Sequence, residues 1–240
     1  MHTLFRNWFV DFEFPNENGN HYKSSGGKMK KSNLGPIPSM WIIDKLEDTV
    51  LKIGTGADAI KKAPIVDYDT GIKCVRVGDM TNGRNVENWA FTNITDQNFK
   101  NYQLNKSDII ITRTAVNGLS YFVEKDLKAV CNNGLIRLKV NNDYNPYYIY
   151  QIMKTSHFMN YIKMIEGETS TRPNMKINYL LGYEFINPGI ELQNEFIRLI
   201  NPIKTKISLI NEENTYLLNL RDTLLPKLMS GEINIPDTKV

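Results

Sequence analysis

Residues 195–231 read EFIRLINPIKTKISLINEENTYLLNLRDTLLPKLMSG. Within them Phe196, Ile200, Ile203, Ile207, Ile210, Asn214, Leu217, Arg221, Leu224 and Leu228 follow an unbroken 4-3-4-3 spacing. Side chains so spaced share one stripe of an α-helix, and a stripe kept for about five heptads is a coiled-coil seam. From Glu191 to Met229 the helix is roughly 58 Å long at ~1.5 Å per residue. Taking Phe196 as a d position puts Asn214 at an a position, where a buried amide fixes register. Pro202 lies off the seam and predicts a kink or a late helix start. Ser230-Gly231 is the expected stop. The heptad regularity predicts a second helix as the stripe's partner rather than packing of the rod against its own domain.

Upstream of Pro188-Gly189, residues 36–188 read as a mixed domain. Short β-branched runs predict strands at Ile72–Val77, Asp108–Thr112, Leu119–Val123 and Leu135–Val140. In the last, Ile136, Leu138 and Val140 alternate with Arg137 and Lys139, the pattern of a half-buried strand. Between Asn145 and Ile165 the period becomes helical, and Asn145-Pro146 offers an N-cap side chain followed by proline at the first helical position. Residues 1–35 open with Leu4, Phe5, Trp8, Phe9 and Phe12 at helical spacing, followed by polar, turn-rich Pro15–Asn20 and Ser24–Gly27. They read as a short helix and a linker. The expected organisation is α+β: a mixed α/β domain over 36–188, a coiled-coil helix over 189–233 and a tail over 234–240.

Composition narrows the function. Hydrophobic residues are 41% and charged residues 23% of 240, which supports a packed core. No apolar run approaches the ~20 residues of a membrane span. The N-terminus carries Arg6 and Asp11 within its apolar stretch, against a secretory signal. Cys74 and Cys131 form no CxxC pair and there are three histidines, so a structural zinc site is not expected and a reduced, cytoplasmic protein is. The net charge of +3 leaves any nucleic-acid surface to local clustering.

Enzyme readings are weak. Asn145-Pro146-Tyr147-Tyr148 approaches an adenine-methyltransferase motif but lacks its second proline, and no glycine-rich loop precedes it. Asp108 with Asp126 and Lys128 resembles a nuclease set only faintly. Binding readings are better. Polar turns carry Arg113, Thr114 and Asn117; Thr169, Ser170, Thr171, Arg172 and Asn174; and, as a weaker third group, Arg76, Asp79, Asn82 and Arg84. Arginine pairs bidentately with guanine, asparagine with adenine, and hydroxyls hold phosphate. Gly, Asn and Thr are also ordinary turn residues, so each loop alone is a modest signal.

The chain also resembles a known family, on Leu34-Gly-Pro-Ile-Pro-Ser-Met-Trp41, Lys45-Leu46, Val75-Arg-Val-Gly-Asp79, Asp108-Ile-Ile-Ile-Thr-Arg-Thr114, the Gly167–Asn174 loop and Leu224-Leu-Pro-Lys-Leu-Met-Ser-Gly-Glu-Ile233. Together these stretches are similar to the DNA-specificity subunits of type I restriction–modification enzymes. The resemblance implies a target-recognition domain that reads half of a split site in double-stranded DNA, followed by a spacer helix that pairs antiparallel with another. It implies no catalysis and no cofactor in this chain; methyl donor, ATP and magnesium serve the partner methyltransferase and endonuclease/translocase subunits. Leu4-Phe-Arg-Asn-Trp-Phe-Val-Asp-Phe-Glu13 resembles the end of a full-length subunit's central helix. The expectation is therefore a C-terminal half, with one recognition domain, that forms an antiparallel homodimer. The alternatives are a stand-alone DNA nuclease or adenine methyltransferase, and a structural coiled-coil adaptor.

Overall fold

The computed structural model describes residues 2–167 and 174–233. The chain falls into two compact units, residues 1–194 and 195–240. In the first, α1 (His2–Phe9) leads to β1 (Met29–Ser32), β2 (Gly35–Pro38), β3 (Ile42–Lys45), β4 (Val50–Thr55), β5 (Ile65–Val66) and β6 (Lys73–Val75). Then come α2 (Val77–Thr81), β7 (Ala90–Thr92), α3 (Asp96–Tyr102), β8 (Ile109–Thr112), β9 (Ser120–Phe122), β10 (Ala129–Cys131) and β11 (Leu135–Val140). The unit closes with α4 (Pro146–Ile152), α5 (Ser156–Gly167), α6 (Ile177–Leu181), β12 (Glu184–Asn187) and the first turn of α7 (Ile190–Met229).

Two four-stranded sheets, β10-β6-β7-β5 and β4-β11-β8-β9, are accompanied by two-stranded ribbons β1-β2 and β12-β3. Among the described strands β10 and β6 are the one parallel pair, aligning Val130 with Cys74. The two larger sheets share one core. Val75, Ala129 and Cys131 from the first meet Ile110 and Leu135 from the second, with Trp89, Leu104, Val123 and Leu127 around them. β8 is buried at all four residues, so its Ile109–Ile111 run does not alternate. β11 sits at the centre of its sheet between β4 and β8 and exposes Lys139, as its alternation predicts. Burial pushes the thiols of Cys74 and Cys131 up to about 12, leaving both as inert core groups.

The opening segment is not a free linker. Phe5 and Phe9 lie against Tyr148, and Trp41 takes the Phe14 ring at 4.8 Å while Phe14 stacks on Tyr22 at 4.6 Å. Leaving these large rings in water would cost about 1.5–3 kcal/mol each, which is why residues 2–22 fold into the first unit. The helical stretch predicted between Asn145 and Ile165 is two helices. Asn145 Oδ1 accepts from the Tyr147 N–H at 3.0 Å and starts α4. Thr155 Oγ1 then accepts from the Phe158 N–H at 3.2 Å and starts α5.

In the second unit α7 continues unbroken through Pro202 and Pro226, so no late start occurs at Pro202. Pro202 lies on an exposed part of the helix, where the carbonyl left without an N–H partner is open to solvent. Of the seam, Phe196 and Ile200 are buried. Ile203, Ile207, Ile210, Asn214, Leu217, Arg221, Leu224 and Leu228 are exposed, with Leu217 at 50%.

Candidate nucleic-acid interface

Four chain segments meet at one end of the two sheets. Arg76 follows β6, Arg113 and Thr114 follow β8, Asn132-Asn133-Gly134 carry the chain from β10 to β11, and Asn174 lies beyond α5. Together with Val77 and Gly78 they line a cavity of about 380 Å³. The parallel pairing of β10 with β6 brings the first and third segments out on the same side. The β8–β11 pairing, with Leu135 opposite Thr112, brings in the second.

Backbone bonds lock the walls together. Arg113 donates its N–H to the Gly134 carbonyl (3.0 Å), Met175 donates to the Arg113 carbonyl (2.8 Å), and Asn132 donates to the Val75 carbonyl (3.1 Å). Thr114 and Asn174 face each other in an isolated antiparallel bridge. Gly134 makes the join close: a Cβ there would sit 2.9 Å from Val77 Cγ2 and 3.0 Å from Thr114 Oγ1, and those side chains would have to shift. Ala115, just beyond, holds φ at 63°, a left-handed conformation costing about 1–2 kcal/mol that the surrounding loop maintains.

Among the described residues Arg76 and Arg113 are the charged ones of the lining. Asp79 stands behind Arg76 and is itself buried, so it does not face the cavity. Its carboxylate accepts from the Arg76 N–H at 2.9 Å, from Arg76 Nε at 3.2 Å and from Arg84 Nη1 at 3.1 Å. It thus caps α2 and neutralises part of the arginine charge. Arg113 donates from Nε to the Met175 carbonyl at 3.2 Å and from Nη1 to the Asn133 carbonyl at 3.3 Å.

Of the residues expected from sequence, Arg76, Arg113, Thr114 and Asn174 come together here. Asn117 is buried. Asn82 is exposed and donates to the Gly78 carbonyl at 2.8 Å, and Arg84 is turned to Asp79; neither lines the cavity. Thr169, Ser170, Thr171 and Arg172 lie outside the described residues. Asn132, Asn133 and Gly134 were missed. Their signal was an Asn-Asn-Gly turn between two β-branched runs, which marks a turn without marking its neighbours.

The residues of the enzyme readings have structural roles. Asp108 Oδ2 accepts from the Asn105 N–H at 2.9 Å and Asp126 Oδ1 from the Lys106 N–H at 2.7 Å, holding the turn before β8. Burial pushes the Asp108 carboxyl above its ordinary range. Asn145 is the α4 cap, and Tyr148 is buried with its hydroxyl donating to the Ile186 carbonyl at 2.8 Å. Among the described residues no group of three or more His, Cys, Asp or Glu is placed to hold a metal, and no helix is long and apolar enough to cross a membrane.

The type I restriction enzyme MjaIX specificity subunit of Methanocaldococcus jannaschii is 27% identical over 244 residues, covering 98% of this chain and 52% of that protein. The chain is thus similar along nearly its whole length to part of a type I restriction enzyme specificity subunit. It spans about half the length of that relative. The fold agrees. The HsdS subunit of Thermoanaerobacter tengcongensis superposes with a TM-score of 0.51 at 12% identity, covering 97% of this chain and 51% of that one. The type I S subunit of M. genitalium superposes with a TM-score of 0.56 at 15% identity, covering 84% and 47%. No protein-family profile matches the chain.

Proposed function

We propose that the chain is a non-catalytic reader of double-stranded DNA, which directs partner methyltransferase and endonuclease/translocase subunits to a split site. The observation that carries this reading is the 380 Å³ cavity, where two arginines and three asparagines from four segments meet on a backbone pinned by its own hydrogen bonds. Arginine and asparagine are the side chains that recognise guanine and adenine edges, and a rigid sheet end holds them at fixed spacing. The methyl donor, ATP and magnesium belong to the partner subunits.

The exposed α7 seam supports a second proposal, pairing with the same helix of an identical chain. Leaving each such side chain in water costs about 1.5–3 kcal/mol. An antiparallel pair is the arrangement that sends two recognition domains to opposite ends of the rod, and its two-fold axis matches an inverted-repeat site. Leu209 and Tyr216, both at c positions and 60% and 65% exposed, lie off that seam and leave apolar surface for the partner subunits.

The test is selection from a pool of randomised DNA duplexes by the purified chain at low salt. A recovered sequence motif, with affinity falling steeply as salt rises, supports the reading. Recovery of unselected sequence, or no binding, removes it. Turnover of DNA by the chain alone would favour the nuclease or methyltransferase reading instead.

A further inference from the structure

We infer that Asn133 is the adenine-reading side chain of this cavity and that Arg113 is a positioning residue which holds it. The inference rests on the DNA-reading proposal and assigns roles within that site.

The asparagines of the loops differ in what their amides do. Asn82 donates to the Gly78 carbonyl, and Asn132 Oδ1 accepts from the Gly134 N–H at 3.2 Å. Asn117 is buried. Asn133 is exposed, lines the cavity, and among the described residues its side-chain amide has no hydrogen-bond partner. It therefore offers one acceptor and two donors together, the set that matches the N6–H and N7 of adenine in the major groove. Asn174 shares the exposure, and the bridge to Thr114 ties its backbone, but among the described residues no hydrogen bond holds its own carbonyl as Arg113 holds that of Asn133.

The backbone around Asn133 is held on every side. Asn132 N–H bonds to Val75, Leu135 N–H bonds back to the Asn132 carbonyl at 3.0 Å, and the Gly134 carbonyl receives the Arg113 N–H. The Asn133 carbonyl itself is held by Arg113 Nη1. A free amide on a fixed backbone loses little freedom when a base docks, which favours recognition. Arg113 is the reverse case. Its Nε and Nη1 are spent on carbonyls, so it cannot turn a full fork toward guanine without releasing Met175 and Asn133.

The experiment is duplex selection with the full chain and three variants. Asn133→Ala is expected to return the wild-type motif with one adenine position degenerate. Its affinity for the best wild-type duplex is expected to fall roughly tenfold, with random-sequence affinity unchanged. Asn133→Asp is expected to move the preference at that position to cytosine, whose N4 amine needs an acceptor. Arg113→Lys, which keeps the charge but not both bonds, is expected to blur that same position. A wild-type motif unchanged at every position in Asn133→Ala and Asn133→Asp overturns the inference while leaving the DNA reader standing. A wild-type chain that selects no motif overturns the reader itself.

Discussion

Arg113 Nη1 donates to the carbonyl of Asn133 at 3.3 Å, across twenty residues of sequence and from the end of one strand to the turn that starts another. That bond, with the Arg113 N–H to the Gly134 carbonyl beside it, makes a single rigid wall from the end of β8 and the β10–β11 turn. The end of β6 joins it through Asn132 and Val75. The site is therefore a property of how the two sheets meet, and the predictions below follow from that construction.

Gly134→Ala tests the join. The new methyl meets Val77 Cγ2 at 2.9 Å and Thr114 Oγ1 at 3.0 Å, so the side chains of these two walls must shift. The expected cost is about 1–3 kcal/mol of stability. The expected functional result is degraded sequence selection with the sheets intact, read by circular dichroism alongside duplex selection.

Asp79→Ala removes a buried acceptor used by the Arg76 N–H, Arg76 Nε and Arg84 Nη1. The arginines are 38% and 48% exposed, so water screens much of the ion pairing and the lost cap dominates. About 1–2 kcal/mol is expected, a fall of several degrees in the thermal midpoint. Unchanged stability would mean that α2 does not depend on this carboxylate.

Asp108→Asn tests pH linkage. Burial raises the Asp108 carboxyl, first among its causes, so the charged form weighs against the folded state. The stability that protonation provides is present below the unfolded value of 3.8 and lost as pH rises through the folded one. The asparagine keeps an acceptor for the Asn105 N–H and carries no charge. It is expected to be more stable than wild type at neutral pH, with the gap closing as pH falls through that window. Denaturant unfolding across pH reads this directly.

Asn145→Ala separates a helix cap from a methyltransferase motif. Loss of the side-chain bonds to the Tyr147 N–H and to Asn194 Oδ1 is expected to cost about 1–2 kcal/mol, while the Asn145 backbone N–H keeps its bond to Gln193 Oε1. The same variant is expected to leave the methylation given by partner subunits intact at a temperature where it remains folded.

Much of this architecture was legible in the sequence. The β11 alternation and the α7 seam show through because each repeats with a fixed period over many residues. Other features depend on tertiary placement. The burial of Asp79 is invisible in Val75–Asp79, because a carboxylate in a turn looks the same whether it faces water or two arginines. The α4–α5 break at Thr155 escapes a period count because one hydroxyl restarts the helix without changing the apolar spacing. Asn132 and Asn133 read as turn residues, and only the packing of β10 beside β6 shows that their turn closes a site.

The exposed seam predicts a dimer. Light scattering at micromolar concentration is expected to give about twice 27.7 kDa. The double substitution Ile207→Asp and Ile210→Asp, on side chains that are 42% and 45% exposed, is expected to give folded monomers. A monomeric wild type at that concentration removes the homodimer and leaves the DNA reader untouched.

The central claim, that this chain selects the DNA sequence on which partner subunits act, is tested most directly by mapping methylated bases across the genome of cells expressing it with its methyltransferase subunit. The account predicts methylation at one split motif with inverted-repeat halves, lost when this chain is withheld and altered at the same position of each half by Asn133→Asp. Methylation without a motif, or the same motif with and without this chain, would contradict it.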